Sequence, residues 1–231
     1  FQAEDGIRDR SPSRGLGDVY KRQVTKQRRR YKSDHFVKGS YQNILAYMDM
    51  ADAETIAEGK QWYSNAHIVG EQVSALLGNA DPKYGIGILS ALSPNMEWGD
   101  NVEQAMLFTS TGWANMQTAD NNAKAEKIAN GADPLTVLGG EKVRAFYQAI
   151  LTPHADTTPV VDRHAMAVYC NYIPSKDKLK QAMGNARVMR RIQSAYTKAH
   201  SHYPELDRHA VQAITWVLQR KMKEITRRVG Q

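Results

Sequence analysis

The residues best suited to chemistry lie between Leu138 and Cys170. Two adjacent glycines, Gly139 and Gly140, separate two short helical patterns, and Asp162 begins a further helix about twenty residues later. Glycines at such a turn let a partner approach the backbone and leave N–H groups free to hold a phosphate, which suits a nucleic-acid backbone. The same pattern is also typical of an ordinary helical hairpin with a C-cap glycine.

Helical periodicity accounts for most of the chain that must position these residues. Apolar side chains recur at helical spacing in a series of segments, which predicts helices over residues 41–48, 56–76, 98–107, 121–131, 141–151, 186–203 and 206–226. Residues 86–92 are apolar enough for either a buried helix or a strand. Because no strand pair, internal repeat or low-complexity tract is evident, we expect an all-α fold of about ten helices with short connections.

The N-terminal region is set apart from this fold. Residues 2–9, QAEDGIRD, and residues 13–23, SRGLGDVYKRQ, resemble a flow-cell primer and a transposase adapter of sequencing libraries, translated in one frame. We therefore expect residues 1–23 to be an artefact, with a native basic tail as the alternative. Residues 24–38 are expected to form a basic arm and residues 39–231 a single helical unit or two helical subdomains.

The basic arm is the first candidate partner surface. It contains Arg28, Arg29 and Arg30 between two lysines, a run that is either a solvated tail or a set of phosphate contacts. The whole chain has 31 Lys and Arg against 24 Asp and Glu, a net charge of +7. Residues 1–23 carry five basic and four acidic side chains, so the remainder keeps +6. A basic balance favours an acidic partner such as DNA.

Composition excludes several classes of protein. With 42% hydrophobic and 24% charged residues, the chain is typical of a globular protein and not of a disordered one. No apolar run reaches the roughly 18–20 residues of a membrane span, so no membrane association is expected. A single cysteine cannot form an internal disulfide or supply a thiolate cluster. We expect a cytoplasmic monomer with no cofactor and, because its histidines lack ligand spacing to a carboxylate or thiol, no metal.

The order of the motifs resembles the helix-hairpin-helix DNA glycosylase superfamily, of the endonuclease III type. The segment LGGEK resembles the family's hairpin L-P-G-V-G-x-K-T-A, with Leu138, Gly140 and Lys142 on its leucine, second glycine and lysine. The segment VDRH resembles the family's V-D-T-H, with Asp162 on the catalytic aspartate. Upstream, ILSALSPNMEWGDNVEQAM is similar to a helix pair of the family, and NNAKAEKI is similar to the family's Y-N-x-K-A-x-x-I motif. The resemblance covers roughly residues 84–171.

This resemblance implies an enzyme that cleaves the N-glycosidic bond of a damaged or modified base in DNA. Asp162 would stabilise positive charge on the sugar or activate the attacking group, although an aspartate at this position also fits a helix N-cap. Lys142 would be a Schiff-base nucleophile, or else a solvated residue in the first turn of its helix. The implied partner is DNA.

DNA contacts are expected on both sides of this centre. The hairpin Gly139–Gly140 and Arg144 would hold phosphates, together with the arginines of the basic arm. A base can reach the site only by leaving the base stack of the duplex. Asn95 and Trp98 are the candidates for filling the space it leaves and for stacking on the displaced base, with Trp62 and Tyr63 behind them. Large aromatics at helical spacing are also common in protein cores.

The chain differs from the glycosylase motifs in ways that leave other functions open. The hairpin is about two residues shorter than the family's and lacks its proline, and the absence of four cysteines removes the iron–sulfur cluster of endonuclease III. Uncharacterised phage and marine metagenomic proteins have a similar pattern of LSP, LGG and VD motifs. The alternatives are a phage thymine-hypermodification pyrophosphorylase of the same fold, which would act in the host cytoplasm, and a DNA-binding module without catalysis.

Overall fold

The computed structural model describes residues 37–116 and 118–229, and there it consists of eleven α-helices with no strand. In chain order the helices are α1 (Tyr41–Met50), α2 (Ala53–Leu76), α3 (Pro82–Leu92), α4 (Trp98–Thr111), α5 (Ala119–Ala129), α6 (Pro134–Val137), α7 (Glu141–Leu151), α8 (Arg163–Cys170), α9 (Lys176–Met183), α10 (Ala186–His200) and α11 (Arg208–Val229). The prediction of an all-α fold with about ten helices is confirmed. The N-terminal 23 residues and the arginines Arg28, Arg29 and Arg30 lie outside the described residues.

Helix α3 is the central element, and it resolves the ambiguity of residues 86–92 in favour of a helix. Its start is fixed by Asp81, whose side chain accepts a hydrogen bond from the backbone N–H of Lys83, and by Pro82 in the first turn. All residues from Gly85 to Leu92 are buried, because α2, α5 and α7 surround the helix. A helix that is apolar on all sides is stable only in such a position.

Helices α2 and α3 cross in backbone contact. A Cβ atom added to Gly85 would lie 2.1 Å from the carbonyl oxygen of Gly70, a separation that no side chain tolerates. The two glycines therefore allow α3 to reach the centre of the fold. After Leu92 the chain turns at Ser93–Pro94–Asn95 and enters α4, so this crossing also sets the position of that turn.

Two buried clusters of apolar side chains stabilise the fold. The first contains the C-terminal part of α2 with α3, α4, α5 and α7, and the second contains α1, α8, α10 and α11. Helix α11 belongs to both, because Ala213 packs in the first cluster and the adjacent Ile214 in the second. Helix α11 also packs closely on α2, where a Cβ atom on Gly59 would lie 2.5 Å from the Cα of Ile214.

Some boundaries differ from the predicted ones. Helix α9 was not predicted, since it is strongly polar and buries only Ala182, and Ser175 caps it by accepting from the N–H of Lys178. Helix α10 ends at His200, and α11 begins at Arg208. Across the described residues, no helix combines the length and the apolar character that a membrane crossing requires.

Candidate active site

A pocket lies against the first buried cluster, next to the start of α8. Its space, open mouth included, is about 570 Å³. We call it the aromatic pocket, and its lining consists of Trp62, Tyr63, Ser93, Met96, Trp98, Asn101, Lys142, Phe146, Val160, Asp162, Gln212, Ala213 and Trp216. Six elements or their connections contribute, which places residues distant in the sequence around one space.

Four flat rings form the walls of the aromatic pocket. The ring centroid of Trp62 lies 5.2 Å from that of Trp98, 5.4 Å from that of Trp216 and 6.1 Å from that of Phe146. The rings are tilted or edge-on to one another, the arrangement that aromatic pairs prefer. Three of the chain's four tryptophans meet here, whereas Trp113 is 56% exposed. Such a cage can stack on a planar ligand.

The two carboxylate oxygens of Asp162 have separate functions. Oδ1 accepts hydrogen bonds from the backbone N–H groups of His164 at 2.9 Å and Ala165 at 2.8 Å, so Asp162 is the N-cap of α8. Oδ2 accepts a hydrogen bond from the indole Nε1 of Trp216 at 3.0 Å. The structural and the chemical interpretations of Asp162 are therefore compatible, because capping uses only one oxygen.

Two arginines converge on Glu97 beside Asp162. Nη2 of Arg163 lies 2.8 Å from one oxygen of Glu97, and Nη2 of Arg220 lies 3.0 Å from the other. The guanidinium of Arg220 also lies 4.7 Å from the ring centre of Trp216. Glu97 is the N-cap residue of α4, yet its side chain makes no capping hydrogen bond, because it is turned to the arginines.

Lys142 projects from the first turn of α7 and is half-buried. It lines the aromatic pocket and also a neighbouring opening, the outer pocket, which contains Asn95, Met96, Glu97, Trp98, Lys142, Asp162, Arg163, His164, Met183 and Trp216. Among the described residues, no carboxylate lies within 4 Å of the Lys142 ammonium. A lysine without an ion-pair partner beside an aspartate is well placed to meet a ligand.

The hairpin between α6 and α7 is tightly held. Leu138 is buried, and its carbonyl oxygen accepts a hydrogen bond from Nε of Arg144 at 2.7 Å. Gly140 is the N-cap residue of α7 and has a φ of +80°, a conformation that favours glycine. Gly139 and Gly140 are both exposed, and space for a Cβ is open at each.

A second depression, the hairpin cleft, adjoins this turn. It lies between the hairpin, the turn after α3 and the start of α5, and Gly139, Asn95 and Lys124 line it. Asn95 lines both the hairpin cleft and the outer pocket, so the three spaces form one continuous surface. Asn95 has a φ of +63°, which turns the chain sharply at the junction.

Buried amides line the inner part of the aromatic pocket. The hydroxyl of Tyr63 donates a hydrogen bond to Oε1 of Gln212 at 2.7 Å. Burial, followed by the negative charge of Asp162, raises the pKa of Tyr63 well above its ordinary value, so the phenol remains a donor. Asn101 is 2% exposed, and its Oδ1 has no hydrogen-bond partner in the described part of the chain.

Three of the histidines are hydrogen-bonded to neighbouring protein groups. His164 lies in the outer pocket, where Nε2 accepts a hydrogen bond from Nε of Arg163 at 3.2 Å, and burial lowers its pKa. His209 contacts the hydroxyl of Thr157 at 2.6 Å, and His200 contacts the carbonyl of Leu206. Over residues 37–116 and 118–229, no three His, Cys, Asp or Glu side chains are grouped as a metal would need.

The structure brings five of the ten predicted site residues into these three spaces. Gly140 and Arg144 lie at the hairpin but line none of them, and Arg28, Arg29 and Arg30 lie outside the described residues. Asp162, Lys142 and Trp98 line the aromatic pocket, while Asn95 and Gly139 meet in the hairpin cleft. Sequence reasoning missed four residues that complete the arrangement, namely Glu97, Asn101, Gln212 and Trp216. The one available signal was the spacing of Gln212 and Trp216, which puts a buried amide and an indole on the same face of α11.

Comparison with known proteins identifies the family alone. The chain belongs to DUF7178, a family of unknown function, whose model matches residues 26–223. That range includes every residue that lines the aromatic pocket, the outer pocket and the hairpin cleft. No curated protein and no solved structure matches the chain.

Proposed function

We propose that this protein binds DNA and cleaves the N-glycosidic bond of a base that enters the aromatic pocket. The observation that carries the proposal is the position of Asp162, whose Oδ2 is held by the indole of Trp216 in a pocket with aromatic walls that Lys142 also lines. A carboxylate, a lysine and stacking surfaces are the three groups that this reaction uses.

The aromatic walls favour a planar ligand that has left a duplex. A base released from the stack loses its neighbours, and the rings of Trp62, Trp98 and Trp216 offer replacement surfaces. Stacking of a base on an aromatic side chain contributes on the order of 1–3 kcal/mol. This gain offsets part of the free energy required to unpair and unstack the base.

The charges favour chemistry at the sugar. Departure of the base builds positive charge on the sugar ring, and a fixed carboxylate such as Asp162 stabilises that charge. Because Oδ1 is bonded to the start of α8 and Oδ2 to Trp216, the carboxylate is preorganised. Lys142, which has no ion-pair partner among the described residues, would attack C1′ and form a Schiff base.

The surroundings of the pocket suit a polyanion. Gly139, Gly140 and Arg144 lie at the hairpin, Asn95 at the junction, and the chain as a whole carries a net charge of +7. Exposed backbone N–H groups at the start of α7 and basic side chains would hold phosphates on either side of the displaced nucleotide. DNA affinity should then fall steeply with salt concentration.

The test is base release from duplexes that carry a panel of altered bases or an abasic site. The proposal expects release by the full chain, little or none by Asp162→Asn, and retained DNA binding by that variant. Sodium borohydride trapping then examines the lysine, with Lys142→Ala as the test variant. Lys124→Ala, which changes a lysine of the hairpin cleft outside the aromatic pocket, is the matched control.

Each outcome assigns a different activity. An adduct that disappears with Lys142→Ala and persists with Lys124→Ala supports a glycosylase with lyase activity. Base release without an adduct leaves hydrolysis through Asp162 alone. DNA binding without release from any substrate overturns the proposal and favours a DNA-binding module, or a pyrophosphorylase if only a pyrophosphorylated base reacts.

A further inference from the structure

We infer that Asn101 determines which ligands the aromatic pocket accepts, by taking a hydrogen bond from an N–H group on the edge of a neutral planar base. The inference rests on the proposed function for the identity of the ligand as a nucleobase. Beyond that function, the inference specifies the class of base, namely one whose pairing edge carries an unsubstituted N–H.

The unpaired amide of Asn101 is the first observation. Its Oδ1 lies in a residue that is 2% exposed and lines the aromatic pocket, but it has no partner among the described residues. Buried polar atoms in folded proteins nearly always have a partner, and leaving one without any is costly. A ligand that brings an N–H group into the aromatic pocket would supply the missing donor.

Two other buried asparagines in the same part of the fold make the contrast clear. Asn122 accepts a hydrogen bond from the backbone N–H of Ala114 and donates one to its carbonyl oxygen. Asn121 donates to the carbonyl oxygen of Ala91 at 2.7 Å. Both have partners within the protein, so the unpaired state is a property of the pocket-lining asparagine and not of buried asparagines here.

Gln212 supplies the complementary group. It is 3% exposed, lines the same pocket, and its Oε1 accepts the hydrogen bond from Tyr63. Because the carbonyl end of this amide accepts from Tyr63, its NH₂ end is the one left to donate to a ligand. The pocket therefore presents one acceptor, on Asn101, and one donor, on Gln212.

One donor and one acceptor within a single pocket can pair with the complementary groups on the pairing edge of a base. Uracil and thymine present a ring N–H beside a carbonyl, and adenine and cytosine present an amino group beside a ring nitrogen. Methylation of the nitrogen removes the donor and leaves the stacking surface intact. A site that hydrogen-bonds an N–H discriminates strongly against an analogue that lacks it, because its own polar group then remains unpaired.

The experiment compares each base with its N-methylated counterpart. The ligands are deoxyuridine and N3-methyldeoxyuridine, and deoxyadenosine and N6,N6-dimethyldeoxyadenosine. Quenching of tryptophan fluorescence reports binding, in a Trp113→Phe background because that exposed indole lies outside the pocket lining. We expect one unmethylated ligand to bind roughly 10- to 100-fold more tightly than its methylated form.

The variants assign that preference to Asn101. Asn101→Leu keeps the size of the side chain and removes its polar atoms, so the preference should disappear while stacking is retained. Met106→Leu changes a residue on the same helix as Asn101 that is absent from the pocket lining, and the preference should persist. Circular dichroism of each variant confirms that the fold is intact before binding is compared.

Three results would overturn the inference: equal binding of both members of every pair, a preference that survives Asn101→Leu, or no binding of any ligand. The proposed function is judged separately, by base release from DNA. A preference that depends on Asn101 without base release would refute the glycosidic activity and leave the recognition intact. Base release from DNA without a preference for the unmethylated ligand would support the glycosidic activity and refute the role of Asn101.

Discussion

Replacement of Asp162 separates helix capping from chemistry, since the two oxygens have different partners. Asp162→Ala removes both functions. Asp162→Asn keeps a side-chain oxygen for the N–H groups of His164 and Ala165 but removes the charge and places an NH₂ group opposite the indole of Trp216. Asparagine and aspartate are about equally good N-caps, so Asp162→Asn should lose mainly the contact with Trp216.

The magnitudes follow from these contacts. Loss of a cap costs about 1 kcal/mol, and loss of a hydrogen bond to a charged group costs about 1.5 kcal/mol. Asp162→Asn should therefore lower the free energy of unfolding by about 1–2 kcal/mol and Asp162→Ala by about 2–3 kcal/mol. For a domain of this size each kcal/mol corresponds to about 2–4 °C in Tm.

Asn185 provides the matched control. Its Oδ1 caps α10 by accepting from the backbone N–H groups of Arg187 and Val188, the same two positions that Asp162 caps in α8. Asn185 is absent from the lining of the aromatic pocket, so Asn185→Ala should lower stability by about 1 kcal/mol through cap loss alone. Its base-release activity should equal that of the native chain.

The assay combines thermal unfolding with base release under single-turnover conditions. Both Asp162 variants should lose at least about a hundredfold in the rate of release, as expected when a preorganised electrostatic group is removed. Asp162→Ser, which caps without a carboxylate, should be equally inactive. Activity within a few-fold of the native rate in Asp162→Asn or Asp162→Ser would refute the assignment of Asp162 to the chemical step.

Three further predictions concern the surroundings of the site. Glu97→Gln removes the charge that neutralises two arginines, so DNA affinity should rise several-fold and the salt dependence should steepen in a binding titration; unchanged affinity would contradict this role. Gly59→Ala puts a Cβ atom 2.5 Å from the Cα of Ile214 and should lower unfolding stability by about 1–3 kcal/mol, whereas Gly99→Ala, with open space around its Cβ, should be neutral or slightly stabilising. Burial lowers the pKa of His209, so the folded protein binds its proton less tightly than the unfolded chain does. Stability should therefore be complete above about pH 6.5 and fall as the pH decreases towards the lowered pKa, and His209→Gln should flatten the plot of Tm against pH.

Local signals account for what could be predicted from the sequence. The helical period and the cap and glycine signals predict most helices, and they place Asp162 at the start of α8 because capping involves residues only two or three positions apart. Helix α9 was missed because it is only eight residues long and mostly polar, with Ala182 as its one buried residue. Periodicity identifies helices that bury a stripe, and this one does not.

The composition of the pocket could not be predicted, because its contacts join distant parts of the chain. Trp216 reaches Asp162 across 54 positions, and Tyr63 reaches Gln212 across 149. The first pairing depends on the packing of α8 on α11 and the second on the packing of α2 on α11, which no local pattern specifies. Asn101 carries no sequence signal either, because an unpaired amide is recognisable only once its surroundings are known.

The aromatic pocket concentrates features that reduce stability. Asn101 keeps an unpaired oxygen, Lys142 has no ion-pair partner among the described residues, and the charge of Asp162 lies among aromatic rings. Apolar residues of similar size at these positions would pack without these costs. By contrast, the buried amide of Asn122 has its oxygen and its nitrogen paired with the backbone of Ala114. Local departures from good packing and pairing are typical of functional sites, and their coincidence in one pocket is the physical argument for a ligand there.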